Sequence, residues 1–462
     1  MESARERRKK YQRYLAQRPC LYQAAKLGER NKNEECSVVC NYVLGPALAG
    51  FLLWVLNDAV KTGKRRLYFM ARDGYFMYRA ALIFCGRFHL PVECRYLSCS
   101  RYCVRLPAFH LNQKAALEYI CRDALEVTLG TVFSRAGLTT EEMQEVLAVC
   151  PFPWSLSEKL AASDLPKIRQ KLEHCGRFLH YMNQHSQKEM PNLEGYLRQE
   201  GLLDGISDAV VDSGWTGSLQ KTLNEVLSCM GRKKSLKGYY WGLYEIPAHV
   251  RREDYRCYYF GPRGKIRRKV YFNNCLFEAV YSAPHGMTLG YVRRGELYYP
   301  IYEEIVEKRK DFTQKEGSYL MEYVRNLAEN TGTFGRKEIG FWQDRKVIEK
   351  LFRLFMCRPT GKEAAVFGRI PFSDEGLGRE EAPLAAEIKP QDLKGSRIFR
   401  QLMHRLKGTK RKGRRSAWQE GSIVLSGKNV NRNLRSYTRY KYLRFLKKEA
   451  ERIRKETALR NG

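Results

Sequence analysis

The chain has 462 residues, 44% hydrophobic and 12% aromatic, with 83 Lys and Arg against 50 Asp and Glu for a net charge of +33. That much apolar material excludes a disordered chain and is enough for one large or two to three ordinary domains. The basic excess attracts polyanions but leaves open which: nucleic acid, an anionic membrane surface or a phosphorylated substrate.

Residues 1–35 read as a basic N-terminal arm. It has positive charge but no apolar segment, so it does not resemble a secretory signal. With 14 scattered cysteines, this predicts free thiols in a reducing, cytoplasmic setting. Cys36-x3-Cys40 and Cys94-x4-Cys99-x3-Cys103 lack a second pair at zinc spacing, which favours packing over metal ligation. The apolar run Tyr42–Leu56 is shorter than the ~20 residues of a membrane span. It predicts a buried helix starting near Pro46.

From 36 to 295 the pattern alternates short apolar strands with helices, which predicts an α/β core with a mostly parallel sheet covered on both faces, Rossmann-like or phosphoribosyltransferase-like. The expected strands are 66–71, 93–97, 209–212 and 238–244. Helices are expected at 75–85 and 219–230, with a helical insertion at about 111–203. Residues 296–392 read as a helical region followed by an acidic, Gly- and Pro-containing linker, and 393–462 as a basic tail with 22 Lys and Arg against 4 Glu.

Two strand-to-helix loops carry the candidate chemistry. In Asp212-Ser213-Gly214-Trp215-Thr216-Gly217-Ser218 a buried strand ends in an acid, followed by glycines, hydroxyls and a helix start. Glycines admit a close ligand, helix-start amides and hydroxyls donate to phosphate, and the acid can hold a sugar hydroxyl or Mg²⁺. An ordinary turn capped by Ser or Thr is the plainer alternative. In Arg72-Asp73-Gly74 a second strand ends in charge. Ligands of open parallel sheets bind at strand carboxyl ends, and Arg suits bidentate phosphate binding. Arg101, after the 93–97 strand, is a further phosphate-facing candidate. Glu278 and His285, the latter between Pro284 and Gly286, are candidates for proton transfer.

At these positions the sequence resembles a bacterial family labelled as hydrolases of the haloacid-dehalogenase (HAD) superfamily and associated with surface-polysaccharide synthesis. The matching pieces are Gly45-Pro46 with Phe51 and Trp54, Tyr68 to Gly74, Tyr96-Leu97 with Ser100-Arg101, Asp212 to Ser218, and Ala283 to Gly286. The HAD nucleophile motif Asp-x-Asp-x-Thr is absent; the match is to the companion region that follows the HAD unit in longer relatives. A more distant similarity links the two loops, in the same order, to type I phosphoribosyltransferases, with Ser213 where that loop has a second acid.

Together these imply a cytoplasmic transferase or hydrolase acting on a phosphorylated sugar or lipid-linked precursor in surface-polysaccharide assembly. Asp73, Asp212, Glu278 and His285 are then the catalytic candidates. Arg72, Gly74, Arg101, Ser213, Gly214, Thr216, Gly217 and Ser218 would hold phosphate, with Mg²⁺ as a candidate cofactor. The alternatives are a nucleic-acid-binding protein and a non-catalytic scaffold. In the tail, Leu443, Leu446, Ala450 and Ile453 share a helical face among basic residues and interleaved tyrosines. Such a helix suits an anionic membrane surface, stacking on RNA, or packing on its own domain.

Overall fold

The computed structural model describes residues 2–29, 34–124, 127–330, 341–372, 382–387 and 416–461. Five strands form one sheet: β1 (Arg66–Met70), β2 (Glu93–Leu97), β3 (Asp208–Trp215), β4 (Lys237–Leu243) and β5 (Tyr255–Phe260). Their order is β2-β1-β3-β4-β5, and every neighbouring pair is parallel.

The period-two alternation of a strand explains why both faces are covered. Leu67 and Phe69 of β1 enter one core with Phe51, Leu52, Trp241 and Tyr258. Tyr68 and Met70 enter another with Val210, Leu223, Leu227 and Tyr196. The Gly74–Phe88 helix lies on the first face, and the helices Gly176–Gln199 and Ser218–Cys229 on the second. The expected α/β, Rossmann-like architecture is the one observed.

Between β2 and β3 the chain is helical, and residues 106–182 build a satellite core around Phe109, Leu117, Ile120, Phe133, Ile168 and Phe178. The run that starts the core is longer than its apolar stretch suggests. Glu35–Val39 continues through a wider π turn, Cys40–Leu44, into the Gly45–Lys61 helix. These 27 residues are long and apolar enough to cross a membrane, but 94% of the most apolar window is buried inside the protein.

Three features differ from the sequence expectation, the first being the edge strand β5 (Tyr255–Phe260), which is not among the expected strands. β3 runs three residues past Asp212, because Gly214 and Trp215 keep pairing with Gly242 and Leu243 of β4. A Cβ on Gly214 would sit 2.3 Å from the Gly242 carbonyl oxygen, and its φ is +115°, so glycine is required there for packing. The third difference is an antiparallel hairpin, β6 (Thr288–Arg294) and β7 (Leu297–Tyr302), turning at Gly295. The long helix that follows starts at Glu307.

Both ends of the chain contribute to the core. The helices Ala4–Leu15 and Pro19–Leu27 supply Tyr11, Leu15, Leu21, Ala24 and Ala25. The Tyr11 hydroxyl donates to Glu363 at 2.5 Å. Near the other end Trp418 is fully buried and its indole donates to the Met356 carbonyl. Residues 373–381 and 388–392 of the expected linker, and 393–415 of the expected tail, lie outside the described residues.

Candidate functional site

In a parallel sheet of order 2-1-3-4-5 the topological switch lies between β1 and β3, because the connections leaving them run over opposite faces. In open sheets of this kind the ligand crevice lies there, at the carboxyl ends of the strands. Asp73 stands three residues beyond β1 and Asp212 is inside β3; both are half-buried. Ser213 ties the two segments together, its hydroxyl donating to Asp73 at 2.5 Å. Gly74 starts the helix after β1 and packs so closely on Phe69 that a Cβ would meet its backbone at 3.0 Å.

Charge converges on this pair. Burial raises the Asp73 carboxyl above its usual value, opposed by the Ser213 hydrogen bond and by Arg72, Arg101 and Arg309. Asp212 is pushed up to about 7, first by burial and then by the Asp73 charge, with Arg101 acting the other way. Arg101 is exposed at the start of the Arg101–Arg105 helix, behind Ser100, whose hydroxyl accepts the Tyr102 and Cys103 amides. Arg309 is buried on the Glu307–Asn330 helix and donates to the Ser282 hydroxyl at 2.9 Å.

His285 reaches the same crevice from the β2 side. Its Nδ1 is 2.8 Å from the Gly286 carbonyl oxygen and its Nε2 2.9 Å from the Tyr96 hydroxyl. A carbonyl can only accept, so the ring proton is on Nδ1 and Nε2 accepts from the phenol. Burial, with Arg72 and Arg309 nearby, holds His285 below the usual imidazole value, so it stays neutral near pH 7. The Tyr302 ring packs on it at 4.1 Å, and the Tyr302 hydroxyl is 2.7 Å from Ser98 Oγ.

Glu278 lies elsewhere. It accepts the indole N–H of Trp215, whose ring packs on Phe272, Phe277 and Tyr244 toward β4 and β5. Thr216, Gly217 and Ser218 lie beyond the end of β3. The Thr216 and Ser218 hydroxyls bond to each other at 2.9 Å, and the strand alone carries the chain roughly 10 Å beyond Asp212, to Trp215, before this turn. Gly217 has φ +62°, and a Cβ there would meet the Tyr255 ring at 2.8 Å.

The structure therefore groups Asp73, Asp212, Ser213, Arg72, Arg101 and His285, and sets Glu278 and the Thr216–Ser218 turn apart from them. It adds Arg309, Tyr96 and Tyr302, which sequence reasoning missed. Arg309 lies in a run of Glu, Lys and Arg that gives no sign which cation turns inward; Tyr96 reads as a strand residue and Tyr302 as the start of a helical region.

Among the described residues no three His, Cys, Asp or Glu side chains cluster as a metal site. Compared with known proteins, the chain matches no family model, and no curated protein matches it significantly. Its function must be argued from this crevice.

Proposed function

We propose that the chain is an enzyme that holds the phosphate of a phosphorylated sugar or lipid-linked sugar precursor in this crevice and transfers or hydrolyses the attached group, in bacterial surface-polysaccharide assembly. The observation that carries this reading is the pair of carboxylates joined through Ser213 at the topological switch, with Arg72, Arg101 and Arg309 around Asp73 and Arg101 also acting on Asp212. Guanidinium groups match phosphate oxygens in pairs and stay charged, so they neutralise a phosphate as it sheds water. The surface-polysaccharide context rests on the family resemblance alone.

Each group then has a task. Asp212, at about 7, exchanges a proton at neutral pH, which suits it to activate a hydroxyl or water. Asp73, fixed by Ser213, accepts a sugar hydroxyl. His285 orients the Tyr96 hydroxyl rather than taking a proton from the substrate itself. A Mg²⁺ ion would have Asp73 and Asp212 as ligands and would supply further charge neutralisation at the phosphate.

The test is a thermal-shift and calorimetric screen against nucleotide sugars, phosphoribosyl pyrophosphate and prenyl phosphates, repeated with Arg72→Ala and Asp212→Asn. The expected result is one class that stabilises the protein and loses at least tenfold in affinity with Arg72→Ala. If every ligand that binds does so equally well in both variants, the crevice is not the site.

A further inference from the structure

A pocket of about 650 Å³ is walled by the Gly74–Phe88 and Glu307–Asn330 helices. Its walls continue from the residues of the crevice. Tyr75 lines it and donates its amide to the Arg72 carbonyl at 3.1 Å. The Tyr75 ring also packs on Tyr96, the partner of His285. Pro284, another wall residue, directly precedes His285, and Thr313 lies about one helical turn beyond Arg309. The two helices touch where Gly317 faces the Phe76 ring, since a Cβ at Gly317 would lie 2.5 Å from that ring.

The lining holds hydrogen-bonding groups that the protein itself does not use. Thr313 is only 3% exposed, yet its hydroxyl has no hydrogen-bond partner among the described residues. A helical threonine commonly returns its hydroxyl to the carbonyl three or four residues back, and a buried hydroxyl left unbonded costs stability. The Gln314 amide and the Tyr75 hydroxyl also have no hydrogen-bond partner among the described residues. Ser318 spends only its proton, on the Lys315 carbonyl at 2.7 Å, and keeps its acceptor capacity.

We infer that this pocket seats a sugar ring, the one attached to the phosphate held in the crevice; the inference rests on the crevice reading proposed above. A sugar ring has an apolar C–H face and a rim of hydroxyls, each able to donate and to accept. The Tyr75 and Phe76 rings offer apolar surface to the first, and Thr313, Gln314 and Ser318 offer hydrogen bonds to the second. The volume is within the usual ~300–1,000 Å³ of a small-ligand site. A prenyl chain would leave the same polar groups unbonded, so the part of the substrate held here is the sugar and not the lipid.

The experiment is saturation-transfer NMR and calorimetry of the full chain. The probes are glucose, galactose and N-acetylglucosamine, each as the free sugar and as its 1- and 6-phosphates, together with inorganic phosphate. The proteins are the native chain, Thr313→Val, Thr313→Ser, Ser318→Trp and the crevice variant Arg72→Ala. Thr313→Val removes a hydroxyl that bonds nothing in the protein, and Ser318 is exposed, so both variants should fold. We expect at least one free sugar to bind, and to lose about fivefold or more in affinity with Thr313→Val and Ser318→Trp but not with Thr313→Ser or Arg72→Ala. Its phosphate ester should bind more tightly than the free sugar and weaken in both the pocket and the crevice variants. Inorganic phosphate should respond to Arg72→Ala alone. If phosphate binding ignores Arg72 while the free-sugar pattern holds, the crevice reading fails and the sugar site stands. The inference is overturned if no sugar binds, if Thr313→Val and Ser318→Trp bind it like the native chain, or if neither phosphate ester gains over the free sugar.

Discussion

The crevice and the C-terminal unit, residues 416–461, both combine charge with burial, and they use it in opposite ways. In the crevice, Asp73 and Asp212 face each other across two strand ends, and burial raises both. The two charges oppose each other, so their juxtaposition costs the fold stability when both are ionised. In the C-terminal unit, buried Lys441 donates to Glu420 at 3.0 Å and to the Phe272 carbonyl at 3.2 Å, while Trp418 is fully enclosed. There the charge joins two helices and the aromatic fills space. A dense run of Lys and Arg is thus in part a packing feature, with Lys441 buried between two helices.

The largest expected effect is on the structural side. Trp418→Ala removes a fully buried indole and should cost about 3–5 kcal/mol in urea unfolding. Deleting 416–462 should leave a chain that aggregates. A truncated protein that unfolds cooperatively at the native temperature would mean the unit is only an accessory. Nearly as large, Glu420→Ala strands a buried ammonium and should cost about 3–5 kcal/mol, while the double change Glu420→Leu, Lys441→Met should cost far less.

The crevice should respond in the reverse sense. Asp73→Asn keeps an oxygen that can accept from Ser213, and Ser213→Ala removes one hydrogen bond, so each should change stability by about 1 kcal/mol or less. Both should weaken phosphosugar binding at least tenfold. For Asp212 the sign follows from its folded value of about 7 against 3.8 for an ordinary aspartate. The native state keeps this proton longer than the unfolded chain does, so the stability it contributes is present at low pH. That contribution is lost as pH rises from roughly 4 to 7. Asp212→Asn should therefore be increasingly more stable than the native protein over that window, with a plateau above it. Parallel stability curves from pH 4 to 8 would refute the raised value.

Much of the sheet and part of the crevice were legible in the sequence for one physical reason. A parallel strand buried on both faces must be continuously apolar, so charges at the ends of Arg66–Met70 and within Asp208–Trp215 stand out. The extension of β3 was not legible, because Gly214 looks the same whether it admits a ligand or a neighbouring strand. The β6–β7 hairpin carries as much Tyr, Arg and Glu as a surface helix. Arg309 was hidden because only the tertiary fold selects which cation of Glu307–Lys310 turns inward. The tail's helical face was read correctly as a face but left open in role. Its tyrosines turn toward the protein, with Tyr442 against Tyr271 and Phe445 stacked on Tyr244 at 5.7 Å.

The smallest expected effect checks the comparison from within a single helix. Leu443 and Leu446 are 53% and 50% exposed, although they are one residue from Tyr442 and Phe445, which pack inward. Burial, not residue type, sets the cost of truncation, so Leu443→Ser and Leu446→Ser should each stay within about 0.5 kcal/mol of the native protein. Phe445→Ala, which leaves a gap against Tyr244, should cost several times more. Matched urea titrations of the three variants give the answer directly. Should the leucine changes cost as much as Phe445→Ala, that face is covered in solution, and the division between packed and presented residues in this helix would have to be redrawn.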